Sequence, residues 1–253
     1  MPSFRRHMAR VLERLSGAYV IHPSEAYQLP ERLHLRKFFD YYGVDCVFDV
    51  GANQGQYASM IRDLVGFKGQ IISFEPIPEL ASALAGPATA DGNWYVENLA
   101  LDREAGPAIF NIMSESVFSS LHSPASDQPN IFSTQNAVSR QVEIVRSTLA
   151  LELPRWRQKL KFKRPFLKMD TQGNDLAIVQ GAGSEINTFV GLQSELAIKN
   201  LYAGAVGYQD TLEAYSNMGF ELSAMVANTA GHFPDLVEMD CIMYRRGAKP
   251  VRR

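Results

Sequence analysis

Two acidic side chains stand at the ends of apolar runs, and their surroundings narrow the chemistry. The run Asp45–Val50 (DCVFDV) opens into Asp49-Val50-Gly51-Ala52-Asn53-Gln54-Gly55. Its two glycines let backbone approach a ligand closely, and the helix that follows turns its amide end toward the same place. The spacing is Gly-x-x-x-Gly, not the Gly-x-Gly-x-x-Gly of dinucleotide folds. An acidic residue precedes the turn, so a cationic or zwitterionic ligand fits better than a pyrophosphate. A second run, Gln70–Phe74 (QIISF), ends in Glu75-Pro76, and Glu75 follows Gly55 by 20 residues. That is the offset at which doubly wound folds set a carboxylate on ribose hydroxyls, and two acceptor oxygens suit a vicinal diol. Turn and carboxylate together describe an adenosine-type cofactor without phosphates, S-adenosylmethionine.

These residues need a sheet to bring them together, and the rest of the chain supplies one. DCVFDV is nearly all apolar, as a parallel strand covered on both faces must be. After the glycine turn, Tyr57, Met60, Ile61 and Leu64 repeat at helical spacing, with Gly66 as a stop. A helix over Glu79–Ala85 follows QIISF, and the sheet is expected to continue through Trp94–Leu101. After the turn DREAG, AIFNIM returns as an accessory strand. Nine of the 34 residues from Ser114 to Ser147 are serine, which reads as a long loop or lid, with periodic structure resuming at QVEIV. A helix near Thr148–Leu153, the strand PFLKM, the strand GLQSELAI, the helix DTLEAYSNMG, and the strands FELSAMV and LVEMDCIMY complete the pattern. Strands alternating with helices predict an α/β fold with a doubly wound, mostly parallel sheet. The connector Ala227–Asp235 is too short for a crossover helix, so the last two strands should pair antiparallel at an edge.

Composition sets outer limits. Of 253 residues, 46% are hydrophobic and 21% charged, which excludes a disordered, collagenous or coiled-coil chain. The 27 acidic and 25 basic side chains leave a net charge of -2, so no overall field favours nucleic acid. Cys46 and Cys241, each in an apolar run, point to a reducing, cytoplasmic setting. No stretch has the length and apolarity of a signal peptide or a membrane span. Residues 1–43 form a helical extension. Within it Phe4, Met8, Val11, Leu12 and Leu15 share one helical face opposite Arg5, Arg6, Arg10 and Arg14, and a second helix runs Pro30–Tyr42. The first helix packs on the domain or, alternatively, makes peripheral contact with anionic lipid; its apolar side also offers a surface for a homo-oligomer. Residues 44–246 form the main domain and residues 247–253 a basic tail.

Six motifs in order, DVGANQGQYA, ISFEPIPE, FLKMDTQGNDLAIVQGA, LQSELAIKNLYAG, GFELS and VEMDCIMYR, resemble the FkbM-type S-adenosylmethionine-dependent methyltransferases over residues 45–246. The resemblance implies the class I methyltransferase fold, a Rossmann-like seven-stranded sheet with an antiparallel last strand. It implies O-methylation of a hydroxyl on a saccharide, polyketide or lipid-linked natural-product acceptor. Carried over to this sequence, Asp49, Gly51, Ala52, Asn53, Gly55 and Tyr57 would cradle the methionine half of the cofactor. Glu75 and Pro76 would meet the ribose, and Asn98, Ala100 and Leu101 the adenine. Ser119 and Ser120 match a serine pair near cofactor and acceptor, although Val117 and Phe118 replace its usual small or polar neighbours.

Asp170-Thr171-Gln172-Gly173 occupies the family's acidic position after the fourth strand, opposite the transferring methyl. Methyl transfer needs acceptor oxygen, methyl carbon and sulfur in a row and a destination for the acceptor's proton. Asp170 is the candidate base or orienter. Glu195 is the second acidic group on the same rim, with Gln172, Gln193 and His122 as candidate acceptor contacts. In an alternative, Asp170 and Glu195 hold Mg²⁺ that lowers the acceptor's pKa, but no third ligand stands at suitable spacing. His232 is a loop histidine, and Lys168 and Lys199 flank the rim. Two other readings compete: a nicotinamide-dependent oxidoreductase, disfavoured by the missing third glycine, and a binding module without turnover.

Overall fold

A computed structural model describes residues 21–251 of the chain. The basic helix expected over Phe4–Leu15 lies outside the described residues. A 3-10 turn at Pro23–Gln28 leads into α1 (Leu29–Tyr42), which Gly43 ends in a left-handed conformation. There follow β1 (Cys46–Val50), α2 (Gln56–Met60) with a π-helical continuation to Val65, β2 (Gln70–Phe74), α3 (Pro78–Asp91) and β3 (Trp94–Glu97). The middle of the chain gives β4 (Ala100–Leu101), β5 (Gly106–Met113), β6 (Val138–Ser147), α4 (Leu149–Leu160), β7 (Pro165–Met169) and α5 (Asp175–Gln180). β8 (Gly191–Ala197), α6 (Tyr208–Asn217), β9 (Phe220–Val226) and β10 (Glu238–Arg245) complete it.

Seven strands form one sheet in the order β3-β2-β1-β7-β8-β10-β9. Every pairing is parallel except those of β10, which runs antiparallel to both β8 and β9. The strand order reverses between β1 and β7, so their exit loops share the crevice where open α/β sheets bind ligands. This is the doubly wound, mostly parallel α/β architecture expected of a class I methyltransferase. The final hairpin is inserted rather than appended: β10 slots beside β8, and β9 takes the edge.

The expected strand over Trp94–Leu101 is two strands in two sheets. β3 pairs with β2, whereas β4 joins a three-stranded sheet in the order β4-β6-β5. The serine-rich segment is correspondingly shorter than expected, because Val138–Ser147 belongs to β6. Alternate residues of β1 face opposite layers. Cys46, Phe48 and Val50 pack with Leu149, Leu153 and Trp156 of α4, while Val47 packs with Leu35, Phe38 and Phe39 of α1 and Ala58 of α2. Cys46 and Cys241 are free and buried. Among the described residues no helix is long and apolar enough to cross a membrane.

Candidate active site

A row of polar side chains crosses the sheet on the α1–α2 face. Ser73, Asp49, Lys168 and Gln193 are successive register partners on β2, β1, β7 and β8. All four are buried, so each must find a partner inside the protein. Trp94 Nε1 donates to Ser73 Oγ at 2.9 Å, and Ser73 Oγ donates to Asp49 Oδ2 at 2.9 Å. Lys168 Nζ lies 3.5 Å from Asp49 Oδ1 and 3.5 Å from Asp170 Oδ2, 5.1 Å from the centre of the Tyr57 ring. Burial disfavours the ammonium, but the carboxylates of Asp170 and Asp49 outweigh it and hold its pKa above the usual lysine range. The Tyr57 hydroxyl donates to Gln193 Oε1 at 3.1 Å, and Gln193 Nε2 donates to Glu31 Oε1 and Asp240 Oδ2, both at 2.7 Å.

Above this row lies a cavity of about 1180 Å³. Single-ligand sites are commonly about 300–1,000 Å³, so this one has room for two reactants. Gly51, Ala52, Asn53 and Tyr57 line it on one side. Gly51 has φ 79°, and a Cβ there would lie 2.0 Å from the Asp170 carbonyl oxygen. Only glycine lets the exit loops of β1 and β7 touch. Glu75 and Pro76 form the next part of the wall. Glu75 is 3% exposed, with Oε2 accepting from the Asn53 amide at 2.7 Å and Oε1 from the Ile77 amide at 2.8 Å. Burial drives its pKa up to about 7 against the lowering effect of those two amides. Each oxygen retains a lone pair, as a diol-binding carboxylate requires. Beside it Ile77, Ala100, Leu101, Phe110 and Leu121 make an apolar slot suited to a flat base. These side chains fit an adenosine-type cofactor.

Asp170 and Glu195 also line the cavity, joined by Gln172. Gln172 Nε2 donates to Asp170 Oδ1 at 3.0 Å and to Glu195 Oε2 at 2.9 Å. The Asp170 side chain is 44% exposed, the accessible carboxylate of the pair. Glu195 Oε1 accepts from Asn228 Nδ2 at 2.8 Å, and burial, then Glu238 and Asp170, raise its pKa well above the carboxylate range. Glu238 is raised to about 7 by burial, then by Asp170 and Asp175. Asp240 is raised by burial and then by Glu31. Asp240 sits opposite Glu195 in the β8–β10 ladder, so like groups face one another. Among the described residues no three acidic, histidine or cysteine side chains are grouped so as to hold a metal ion.

Several residues singled out from the sequence lie behind the cavity wall. Asp49 is wholly buried and serves Ser73 and Lys168. Gly55, with φ 76°, faces the core, where a Cβ would meet Leu84 and Trp94 at 2.8 Å. The Asn98 amide donates to the Glu75 and Pro76 carbonyls at 2.9 and 3.0 Å, fixing the loop that carries the carboxylate. Ser119 lines the cavity and its Oγ accepts from the Met113 amide, but Ser120 is fully buried and donates to the Gln172 carbonyl at 2.7 Å. The His122 amide donates to Ser120 Oγ, and Gln193 is 1% exposed inside the polar row. His232 stacks edge-on against Phe132, and Lys199 pairs with Asp235 at 2.7 Å.

The sequence reading missed Glu31, Glu238 and Asp240. A signal for the last two was present: in VEMDCIMY they alternate within an apolar strand and so share one face. Glu31 comes from a helix distant in sequence and carried no such signal. Phe110 and Leu121 were hidden because apolar cavity walls and apolar core have the same composition.

The family model for the methyltransferase FkbM domain matches residues 49–221, from the glycine turn to β9. The chain belongs to the FkbM family of S-adenosylmethionine-dependent methyltransferases. Among solved structures, this FkbM-family chain is similar to a methyltransferase FkbM from Methylobacillus flagellatus KT, with 13% identity and a TM-score of 0.46, covering 79% of this chain and 44% of that one. The chain thus spans less than half of that protein's length. It is also similar to Aeropyrum pernix fibrillarin in complex with natively bound S-adenosyl-L-methionine, with 12% identity, TM-score 0.44 and coverage of 85% and 73%. A third likeness is to precorrin-6y C5,15-methyltransferase from Geobacter metallireducens GS-15, with 10% identity, TM-score 0.44 and coverage of 92% and 96%. No curated protein matches the chain.

Proposed function

We propose that this FkbM-family protein transfers a methyl group from S-adenosylmethionine to a hydroxyl of a saccharide, polyketide or lipid-linked acceptor in a reducing, cytoplasmic setting. One observation carries the reading: a single cavity has a nucleoside-shaped end, with Glu75 beside an apolar slot, and an acidic end, with Asp170 exposed and Glu195 behind it. Gly51, Ala52 and Asn53 hold the methionine half, Glu75 the ribose, and Ala100 and Leu101 the base. When bound, the sulfonium supplies the methyl carbon; the new O–C bond forms as the C–S bond breaks, its electron pair staying on sulfur. Asp170 orients the acceptor hydroxyl and takes its proton. Lys168 holds one oxygen of the Asp170 carboxylate, which limits its reorganisation during the reaction.

Calorimetry with S-adenosylhomocysteine tests the cofactor half; no binding below about 1 mM, an affinity weaker than about -4 kcal/mol, would refute it. The transfer half is tested with a panel of hydroxylated saccharides, macrolactones and lipid-linked sugars, reading release of S-adenosylhomocysteine. On the acceptor that is methylated, Asp170→Asn should lower turnover by about 10²-fold or more and leave cofactor affinity within severalfold. Lost affinity with unchanged turnover would move Asp170 into cofactor binding.

A further inference from the structure

Gln172 makes more polar contacts inside the site than any role in acceptor recognition needs. It is 8% exposed and has φ 56°, a left-handed conformation that is unfavourable for a side chain of this size. Four groups hold it there. Its Nε2 donates to Asp170 Oδ1 and Glu195 Oε2, the two hydrogens of one amide serving one carboxylate each. Its Oε1 lies 2.7 Å from the Tyr202 hydroxyl, and its backbone carbonyl accepts from Ser120 Oγ at 2.7 Å. The same Tyr202 hydroxyl is 2.9 Å from the Phe118 carbonyl. Ser120 and Phe118 belong to the loop after β5, and Ser116 of that loop reaches Asn53 Oδ1 in the glycine turn at 3.3 Å. Both side-chain hydrogens are therefore committed, leaving no free donor with which to grip a ligand.

We propose that Gln172 is a positioning residue: its carboxamide holds the Asp170 carboxylate in one orientation beside Glu195, while Tyr202 holds the carboxamide and Ser120 holds the Gln172 backbone. The inference rests on the role proposed for Asp170. A glutamine is the side chain suited to this place, because it offers one hydrogen to each carboxylate and an acceptor to the tyrosine. A carboxyl group there would bring a third acidic group against two others, and a hydrocarbon would leave Asp170 Oδ1 and Glu195 Oε2 without the donor they share. The charged and titratable groups facing Asp170 come from every side of the crevice: Lys168 from β7, Glu195 from β8, and Glu238 and Asp240 from β10. Glu31 from α1, Asp49 from β1, Asp175 from α5 and Tyr202 from the segment after β8 also face it. Gln172 is the neutral group that donates to the Asp170 carboxylate directly.

The test follows the carboxyl carbon signal of Asp170 by ¹³C NMR as a function of pH, in full-length protein saturated with S-adenosylhomocysteine and with the signal assigned from Asp170→Asn. In Gln172→Leu the midpoint of that signal should move up by about half a pH unit or more, since a hydrogen bond to the ionised form is lost. Gln172→Glu should move it further. Gln172→Asn keeps an amide one methylene too short to reach both carboxylates, so it should behave as Gln172→Leu does and serves if the leucine variant does not fold. Dissociation constants for S-adenosylhomocysteine should stay within about threefold of wild type. An unmoved midpoint in a folded variant of this kind that still binds the nucleoside overturns the proposal. Failure of the wild-type chain to bind the nucleoside would instead overturn the reading of the site.

Discussion

Both oxygens of Glu75 accept a backbone amide before any ligand arrives, and that arrangement sets how its affinity responds to pH. With its pKa raised to about 7 by burial, the side chain is largely ionised at pH 8 and largely neutral at pH 6. A neutral carboxyl gives up acceptor capacity that a diol needs. The dissociation constant of S-adenosylhomocysteine should therefore rise by about tenfold between pH 8 and pH 6, and Glu75→Gln should flatten the dependence. Calorimetry at three pH values decides it, and a wild-type affinity that does not change with pH contradicts the role. Glu75 was legible in the sequence because strand end, proline and offset from Gly55 mark it together. Gln193 shows the opposite case. Its place two residues before Glu195 was readable, but its partners, Glu31 and Asp240, arrive from a helix and a strand far along the chain.

At the scale of elements, β10 does the least expected work. It inserts between β8 and β9 and brings Glu238 and Asp240 to a rim that already holds Glu195. Glu238 is raised to about 7 by burial and by its acidic neighbours. A carboxyl whose folded-state pKa lies above its unfolded value contributes stability that is fully present below the unfolded value and is lost as pH rises through about 7. Glu238→Gln should thus raise Tm at pH 8, by about 2–4 °C for each kcal/mol recovered, and change it little near pH 5. Equal effects at both pH values would show that packing, not ionisation, governs the site. The break between β3 and β4 was illegible for a local reason. Both halves of Trp94–Leu101 are apolar enough to read as one strand, whereas Asn98 turns inward to the Glu75 and Pro76 carbonyls and ends the run.

For the molecule as a whole, two core layers on either side of the sheet leave a hollow of about 1180 Å³ at the carboxyl rim. A ligand that fills this hollow in the folded state only must stabilise the fold. At about 100 times its dissociation constant, S-adenosylhomocysteine should add about 2.7 kcal/mol and raise Tm by roughly 5–11 °C, while NAD should leave Tm unchanged. A shift with NAD and none with S-adenosylhomocysteine would reverse the assignment. By itself the sequence determined the alternation of strands and helices, the glycine turn, the strand-end carboxylates and the family. Each of these is encoded locally, in hydrophobic period and in residues that end or bend an element. Only the tertiary structure decided which carboxylates face the cavity and which are tied up beneath it. Partners such as Gln193 with Glu31, or Gln172 with Tyr202, are set by strand order and crossover packing. The free energy of burying a charge depends on those distant neighbours, which no local pattern records.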